Sequence, residues 1–260
     1  MDSCSDKNIV VIKLGGSVLP NEESYRHAAR FLVRRLYKCA REHLLVVVSA
    51  QYGHTDQLEL LARSVTASPN SRTLDLLWST GELRSVALLT LHLQELGVAA
   101  VALNAHEAGL RLNQIDNGHG VQALSVELRR AFSDHSIAVV PGFFATLTSG
   151  TLVSLGRGGS DLTAVLLAVE LSAVRCELVK DVPGYFTADP HVDGTAQHIP
   201  ALSFEKALQL ADAGCDLVQR RAVEVASETN LPLVVQNLTE EDPNSIVSAA
   251  KGSQVTPDAR

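Results

Sequence analysis

Two short aliphatic runs, Ile9-Val-Val-Ile12 and Leu44-Leu-Val-Val-Val48, frame the start of the chain. Runs of that length read as buried strands. Between them apolar residues return at helical spacing (Ala29, Leu32, Val33, Leu36, Ala40), which predicts a helix over 22–42. Further helices are predicted over 56–67 and 82–96, with a loop around Ser68-Pro-Asn-Ser71 between them. Gly97 closes the second, since a glycine just past the last turn takes a positive φ without steric cost. Strands are predicted over 98–103 and 137–140. This strand–helix alternation predicts a largely parallel sheet with helices on both faces, a three-layer αβα sandwich.

The second half reads differently. Phe143-Phe-Ala-Thr-Leu-Thr and Thr151-Leu-Val-Ser-Leu flank Ser149-Gly150, a hairpin signal. The glycine-rich turn Gly156-Arg-Gly-Gly-Ser160 leads into an apolar helix over 161–171. A strand over 175–179, helices over 203–213 and 219–229, and a strand over 231–235 follow. The polar tail from Glu240 is expected to fray. With neither repeat nor long linker, the pattern predicts one domain with two lobes, 8–140 and 141–240.

Composition narrows the class. Of 260 residues 46% are apolar and only 4% aromatic, so the core must be aliphatic, which suits buried parallel strands. A formal charge of −7 argues against nucleic acid as a partner, because a phosphate backbone needs surplus Lys and Arg. The four cysteines have no CxxC spacing, so reduced thiols in a cytoplasmic protein are expected rather than zinc or disulfides. No segment reads as a signal peptide or a membrane span.

Three segments carry chemistry. In Val10-Val-Ile-Lys-Leu-Gly-Gly-Ser-Val18 a strand runs into two glycines, with Lys13 just before the turn. Gly15 and Gly16 allow backbone N–H groups to approach a phosphate, and Lys13 adds a point charge. The order of residues is neither a Walker A loop nor GxGxxG. In Leu155-Gly-Arg-Gly-Gly-Ser-Asp-Leu-Thr163 the guanidinium of Arg157 suits a carboxylate, while Ser160 or Asp161 also suits a helix cap. The loop Val179-Lys-Asp-Val-Pro-Gly-Tyr-Phe-Thr-Ala-Asp-Pro190 follows a strand, where open α/β sheets bind ligands. Lys180 offers a phosphate contact, Asp181 an acceptor, and Tyr185 a ring to pack against a nucleotide. Two further pieces are less specific. Ser79-Thr-Gly-Glu82 puts a carboxylate at the start of a long helix, where the macrodipole alone accounts for it. Val48-Ser-Ala-Gln-Tyr-Gly-His-Thr-Asp56 lines a site or forms a turn.

Taken in order, these segments resemble the amino acid kinase superfamily and, within it, the catalytic domain of aspartokinases. Gly156-Arg-Gly-Gly-Ser-Asp161, Lys180-Asp-Val-Pro-Gly184 and Thr187-Ala-Asp-Pro190 carry the resemblance, with Lys13-Leu-Gly-Gly-Ser17, Ser49-Ala50 with Thr55-Asp56, and Gly81-Glu82. It implies transfer of the γ-phosphoryl group of ATP, bound with Mg²⁺, to the side-chain carboxylate of an amino acid. It further implies that Lys13 stabilises the transferring group and that Asp161 organises the lysine. Gly15, Gly16, Ser17, Lys180, Asp181, Tyr185 and Asp189 would hold the nucleotide. Ser49, Thr55, Glu82, Phe143, Arg157, Gly158 and Ser160 would line the amino-acid pocket, with Arg157 on the α-carboxylate and Glu82 facing the ammonium. The N-terminal lobe would serve the amino acid and the C-terminal lobe the nucleotide. A homodimer through the N-terminal lobe is implied too, without nucleic-acid or membrane partners. The chain ends where aspartokinases begin their regulatory ACT domains, so none is expected within it.

This sequence departs from the family pattern at four places. Leu14-Gly-Gly-Ser17 stands for Phe-Gly-Gly-Thr, and Gln51-Tyr-Gly-His-Thr55 brings bulk beside the substrate loop. His191 follows Pro190 where an arginine is usual, and Leu217-Val-Gln-Arg220 replaces Val-Leu-His-Pro. Acetylglutamate, glutamate and uridylate kinases are alternatives within the fold, and a non-catalytic nucleotide or amino-acid sensor is the alternative outside catalysis.

Overall fold

The computed structural model describes residues 8–39, 41–115, 118–123, 125–155, 159–239 and 244–249. The first half runs β1 (Asn8–Leu14), α1 (Glu22–Lys38), β2 (Glu42–Val48), α2 (His54–Val65), α3 (Ser71–Glu95) and β3 (Ala100–Ala102). Then come β4 (Leu110–Ile115), β5 (Gly118–Ala123), α4 (Ser125–Ala131) and β6 (Ile137–Pro141). The second half runs β7 (Phe144–Thr146), β8 (Leu152–Ser154), α5 (Gly159–Glu170), β9 (Arg175–Val179), β10 (Tyr185–Phe186) and β11 (His198–Ile199). It closes with β12 (Ala201–Ser203), α6 (Phe204–Asp212), α7 (Arg220–Glu228), β13 (Leu233–Gln236) and β14 (Ser245–Ser248).

Eight of these strands form one sheet in the order β12-β14-β13-β9-β1-β2-β6-β3. The block β13-β9-β1-β2-β6-β3 is parallel throughout, while β14 runs antiparallel to β13. Alternation along β1 assigns the two faces. Ile9 and Val11 join a core with helices α4 to α7, and Val10, Ile12 and Leu14 join a second core with α1 and α3. The expected three-layer αβα sandwich is therefore the observed fold. A separate four-stranded sheet, β5-β4-β7-β8, flanks it and contains the hairpin expected at Ser149-Gly150.

Three features depart from expectation. The helix expected over 82–96 begins at Ser71, where the Asn70 side chain accepts from Thr73 N at 3.3 Å as its N-cap. Gly81 made the interior of α3 read as a break, because glycine costs a helix about 1 kcal/mol relative to alanine. It stands there for packing: a Cβ on Gly81 would lie 3.1 Å from both Ala50 Cβ and His54 Cδ2. Second, the tail expected to fray contains β14, whose Val247 is fully buried against Leu202 and Leu233. Third, the hairpin of β4 and β5 was not predicted.

A buried ion network ties α1 to the sheet. The Arg35 guanidinium lies 2.8 Å from Glu42 Oε2 and 3.0 Å from Glu177 Oε1. Arg175 bridges the same two carboxylates at 3.1 and 2.8 Å, and Gln236 Nε2 donates to Glu177 Oε2 at 2.8 Å.

Candidate active site

The carboxyl ends of the parallel strands are bound together by backbone hydrogen bonds. Gly15 N donates to Val179 O, Ser49 N to Leu14 O, Gly142 N to Val48 O and Lys180 N to Gln236 O. From β1 the chain moves to β2 on one side and returns as β9 on the other, so this rim includes a topological switch point. A cleft of about 580 Å³ opens there.

Asp161, in the first turn of α5, is the centre of the cleft. Its Oδ1 lies 2.9 Å from Lys13 Nζ, its Oδ2 lies 2.8 Å from Lys180 Nζ, and Gln219 N donates to Oδ2 at 3.2 Å. Lys13 follows the Ile9–Val11 face of β1 to the strand's carboxyl end, which aims it at α5 rather than at α1. Gly15 leaves room beside it, since a Cβ there would lie 3.1 Å from the Lys13 ammonium. Burial opposes ionisation of Asp161, yet Lys13 and Lys180 together outweigh it and hold the carboxyl well below the usual range. Burial, reinforced by Lys13, lowers the pKa of Lys180. Two ammonium groups against one carboxylate leave this centre net positive, which favours an anion such as a phosphate chain.

The turn after β1 adds polar groups. Ser17 Oγ donates to the exposed Asp181 Oδ1 at 3.3 Å, joining the first glycine-rich segment to the loop after β9. A Cβ on Gly16 would sit 3.0 Å from Ala50 O, so this glycine lets the turn close on β2. Among the described residues no cluster of three acidic, histidine or cysteine side chains forms a metal cage. The exposed Asp181 carboxylate, beside Lys180, is an oxygen donor next to the cleft and of the kind a hard divalent cation takes.

On the other side of Asp161 lie the residues expected to line an amino-acid pocket. Ser49 Oγ and Ser160 Oγ are 3.1 Å apart. Gly142 makes this possible: a Cβ there would come within 2.8 Å of Ser160. Phe143 is buried with φ 71°, and its N–H donates to Thr163 Oγ1 at 3.2 Å. For a bulky residue that conformation stores roughly 1–3 kcal/mol of strain. Thr55 is half-buried in the first turn of α2. Glu82 lies in the interior of α3 rather than at its start, so the macrodipole does not explain it. It is 4% exposed, and burial pushes its carboxyl up to about 7, offset only in part by hydrogen bonds from its own backbone and from Ala50. Arg157 and Gly158 lie outside the described residues.

Two expected nucleotide residues stand away from the cleft wall. Tyr185 is 2% exposed within the core under α5, and burial raises its pKa. Asp189 is exposed and accepts from His191 N at 2.9 Å, building its own turn. Conversely, the segment from Ala211 to Arg220 lines the cleft through Cys215, Asp216 and Gln219. Sequence reasoning missed this wall, because its only signal was the unusual Leu217-Val-Gln-Arg220. The bulk at Gln51-Tyr52 is turned away from the pocket. Tyr52 is 70% exposed, and Gln51 accepts from Arg84 at 2.7 Å while donating to Pro20 O at 3.3 Å.

The fold and the site define an open α/β protein with a lysine-lined cleft at the carboxyl ends of its strands. Comparison with known proteins gives that class a family: the model of the amino acid kinase family matches residues 8–237, and the chain belongs to this family. The aspartokinase of Geobacillus stearothermophilus is 36% identical over 240 residues, covering 92% of this chain. Aspartokinase 2 of Bacillus subtilis is 34% identical, also over 92% of it. The chain spans 58% of the length of each of these relatives. Aspartate kinase from Synechocystis superposes with a TM-score of 0.79 at 34% identity, over 94% of this chain and 40% of that one. At 23% identity, E. coli aspartokinase III in complex with aspartate and ADP shares the fold, with a TM-score of 0.78 over 94% of this chain and 65% of that one.

Proposed function

We propose that this chain phosphorylates the side-chain carboxylate of aspartate, or of a close analogue, from ATP, yielding an acyl phosphate and ADP. The observation that carries the reading is the Lys13–Asp161–Lys180 centre at the mouth of β1 and β9. The aspartokinase relatives support the choice of substrate, and a buried carboxylate at Glu82 suits an ammonium.

A substrate carboxylate oxygen attacks the γ-phosphorus, the bond to the β,γ-bridging oxygen breaks, and ADP leaves with that electron pair. The attacking carboxylate is already ionised at neutral pH, so no general base is needed. Asp161 would be a poor one, since two lysines stabilise its ionised form. Its role is to hold Lys13 and Lys180 in place, while the lysines offset charge on the phosphoryl oxygens. Mg²⁺ bound with ATP would neutralise further phosphate charge. Gly15, Gly16, Ser17, Lys180 and Asp181 belong to the nucleotide side. Ser49, Thr55, Glu82, Phe143 and Ser160 belong to the amino-acid side, as does Arg157 on the α-carboxylate.

A cytoplasmic location and a homodimer through the N-terminal lobe belong to the same reading. Exposed Leu60, Leu61, Val65 and Leu76 on α2 and α3 support the dimer, which sedimentation would test. The decisive experiment is a coupled ADP-release assay with a panel of acids. Turnover with aspartate is expected. Turnover only with another acid would replace the substrate, and ATP binding without turnover would favour a sensor.

A further inference from the structure

Three unfavourable features gather around one face of α3. Trp78 and Glu82 are four residues apart on this helix, which sets their side chains one above the other. Among the described residues, Trp78 Nε1 is a buried donor without an acceptor and Glu82 Oε2 a buried acceptor without a donor. Folded proteins seldom leave such atoms unpaired, because each forfeits its hydration for nothing. The third feature is Phe143, in a strained backbone conformation with its ring 6.2 Å from that of Trp78. Thr163 and Leu155 hold the Phe143 backbone in place, but no described residue pairs with either orphan atom. A ligand that brings a donor to Glu82 and an acceptor to Trp78 would satisfy both orphan atoms.

We infer that Trp78 is a substrate-binding residue whose indole N–H donates to an α-carboxylate oxygen of the amino acid whose ammonium meets Glu82. The inference rests on the amino-acid pocket proposed above and adds a second hydrogen-bonding group to it. Residues four apart on a helix are separated by about 6 Å along the axis. An ammonium and a carboxylate on the same carbon can therefore engage both. A neutral, rigid donor fixes the direction of the headgroup, and with it the path of the reacting carboxylate toward Lys13.

Trp78 is the chain's only tryptophan, so its fluorescence reports on the subsite directly. Aspartate without ATP is expected to change the emission saturably. β-Alanine keeps the ammonium and the reacting carboxylate but lacks the α-carboxylate, and is expected to bind more weakly. Trp78→Phe keeps an aromatic ring beside Phe143 and removes the donor. Its KM for aspartate should rise about 10- to 150-fold, as for a lost hydrogen bond to a charged group. Selectivity for aspartate over β-alanine should fall with it, and the KM for ATP should not move. A KM for aspartate within twofold of wild type would overturn the assignment, as would equal rises in both Michaelis constants. Emission that responds to aspartate in a protein without turnover would sink the kinase reading and still support the subsite. Wild-type emission blind to aspartate overturns the subsite whatever the turnover.

Discussion

Lys13 is buried with its Nζ 2.9 Å from Asp161, and Gly15 leaves room for it. Under the proposed chemistry that charge acts mainly on the transition state. Lys13→Ala is expected to lower kcat roughly 10²- to 10⁴-fold, with a smaller effect on the dissociation constant for ATP. Steady-state kinetics and calorimetry check the pair of values, and near-normal turnover would remove Lys13 from catalysis. Glu82 presents the opposite balance, since among the described residues no cation offsets its burial. Its folded pKa of about 7 exceeds the ordinary value of 4.5, so the folded protein binds the extra proton between those values. The Glu82 contribution is full below 4.5 and is lost as pH rises through 7, up to about 3 kcal/mol. Glu82→Gln should therefore gain stability relative to wild type between pH 5 and pH 8, while losing affinity for the amino acid. Urea denaturation at the two pH values tests the sign. Lys13 was legible as a charge before a glycine turn and Asp161 as a first-turn residue, while their roles came from the ordered resemblance to amino acid kinases. Glu82 was legible as a residue but not as a buried one, since its burial comes from α2, β2 and α3 meeting at Gly81.

At the scale of elements, β14 does more than extend the sheet. Ser245 Oγ accepts from Tyr185 N at 2.8 Å, donates to Ile199 O at 2.6 Å, and lies 3.2 Å from His198 Nε2. Gly184 passes so close that an added Cβ would lie 2.2 Å from that oxygen. One hydroxyl thus anchors the loop that follows Lys180 and Asp181. Ser245→Ala is expected to raise the KM for ATP several-fold, about what a buried hydrogen-bond hub contributes, while sparing the KM for the amino acid. Unchanged ATP kinetics would reduce the contact to packing. The ion network under α1 has a structural role by position, with Glu42 and Arg175 opening β2 and β9 and Glu177 midway along β9. Glu177→Ala leaves Arg35 and Arg175 each short of a buried partner and should destabilise by about 3–5 kcal/mol, measurable by denaturant titration. The Glu–Arg pairing was invisible in sequence, because its members are up to 142 residues apart.

For the molecule as a whole, the eight-stranded sheet passes through both halves of the described chain, with β1 at its middle. Such continuity predicts one cooperative unfolding transition rather than two. ADP at a hundred times its dissociation constant should stabilise the whole by about 2.7 kcal/mol. Two calorimetric transitions, with ADP shifting only one, would show instead that the lobes unfold separately. The sequence by itself determined the class of fold, since aliphatic runs alternating with helical periods leave few arrangements other than a parallel αβα sandwich. It also determined the glycine-rich segments and their charged residues, because backbone proximity to an anion requires particular residue types in particular order. Only the tertiary structure decided what those charges do to one another. It brought Lys13, Asp161, Lys180 and the amide of Gln219 together from four separate segments. It also turned Tyr185 into the core and left Trp78 and Glu82 with buried, unpaired atoms. Such outcomes depend on distances and on the exclusion of water, which arise from packing between segments remote in the chain.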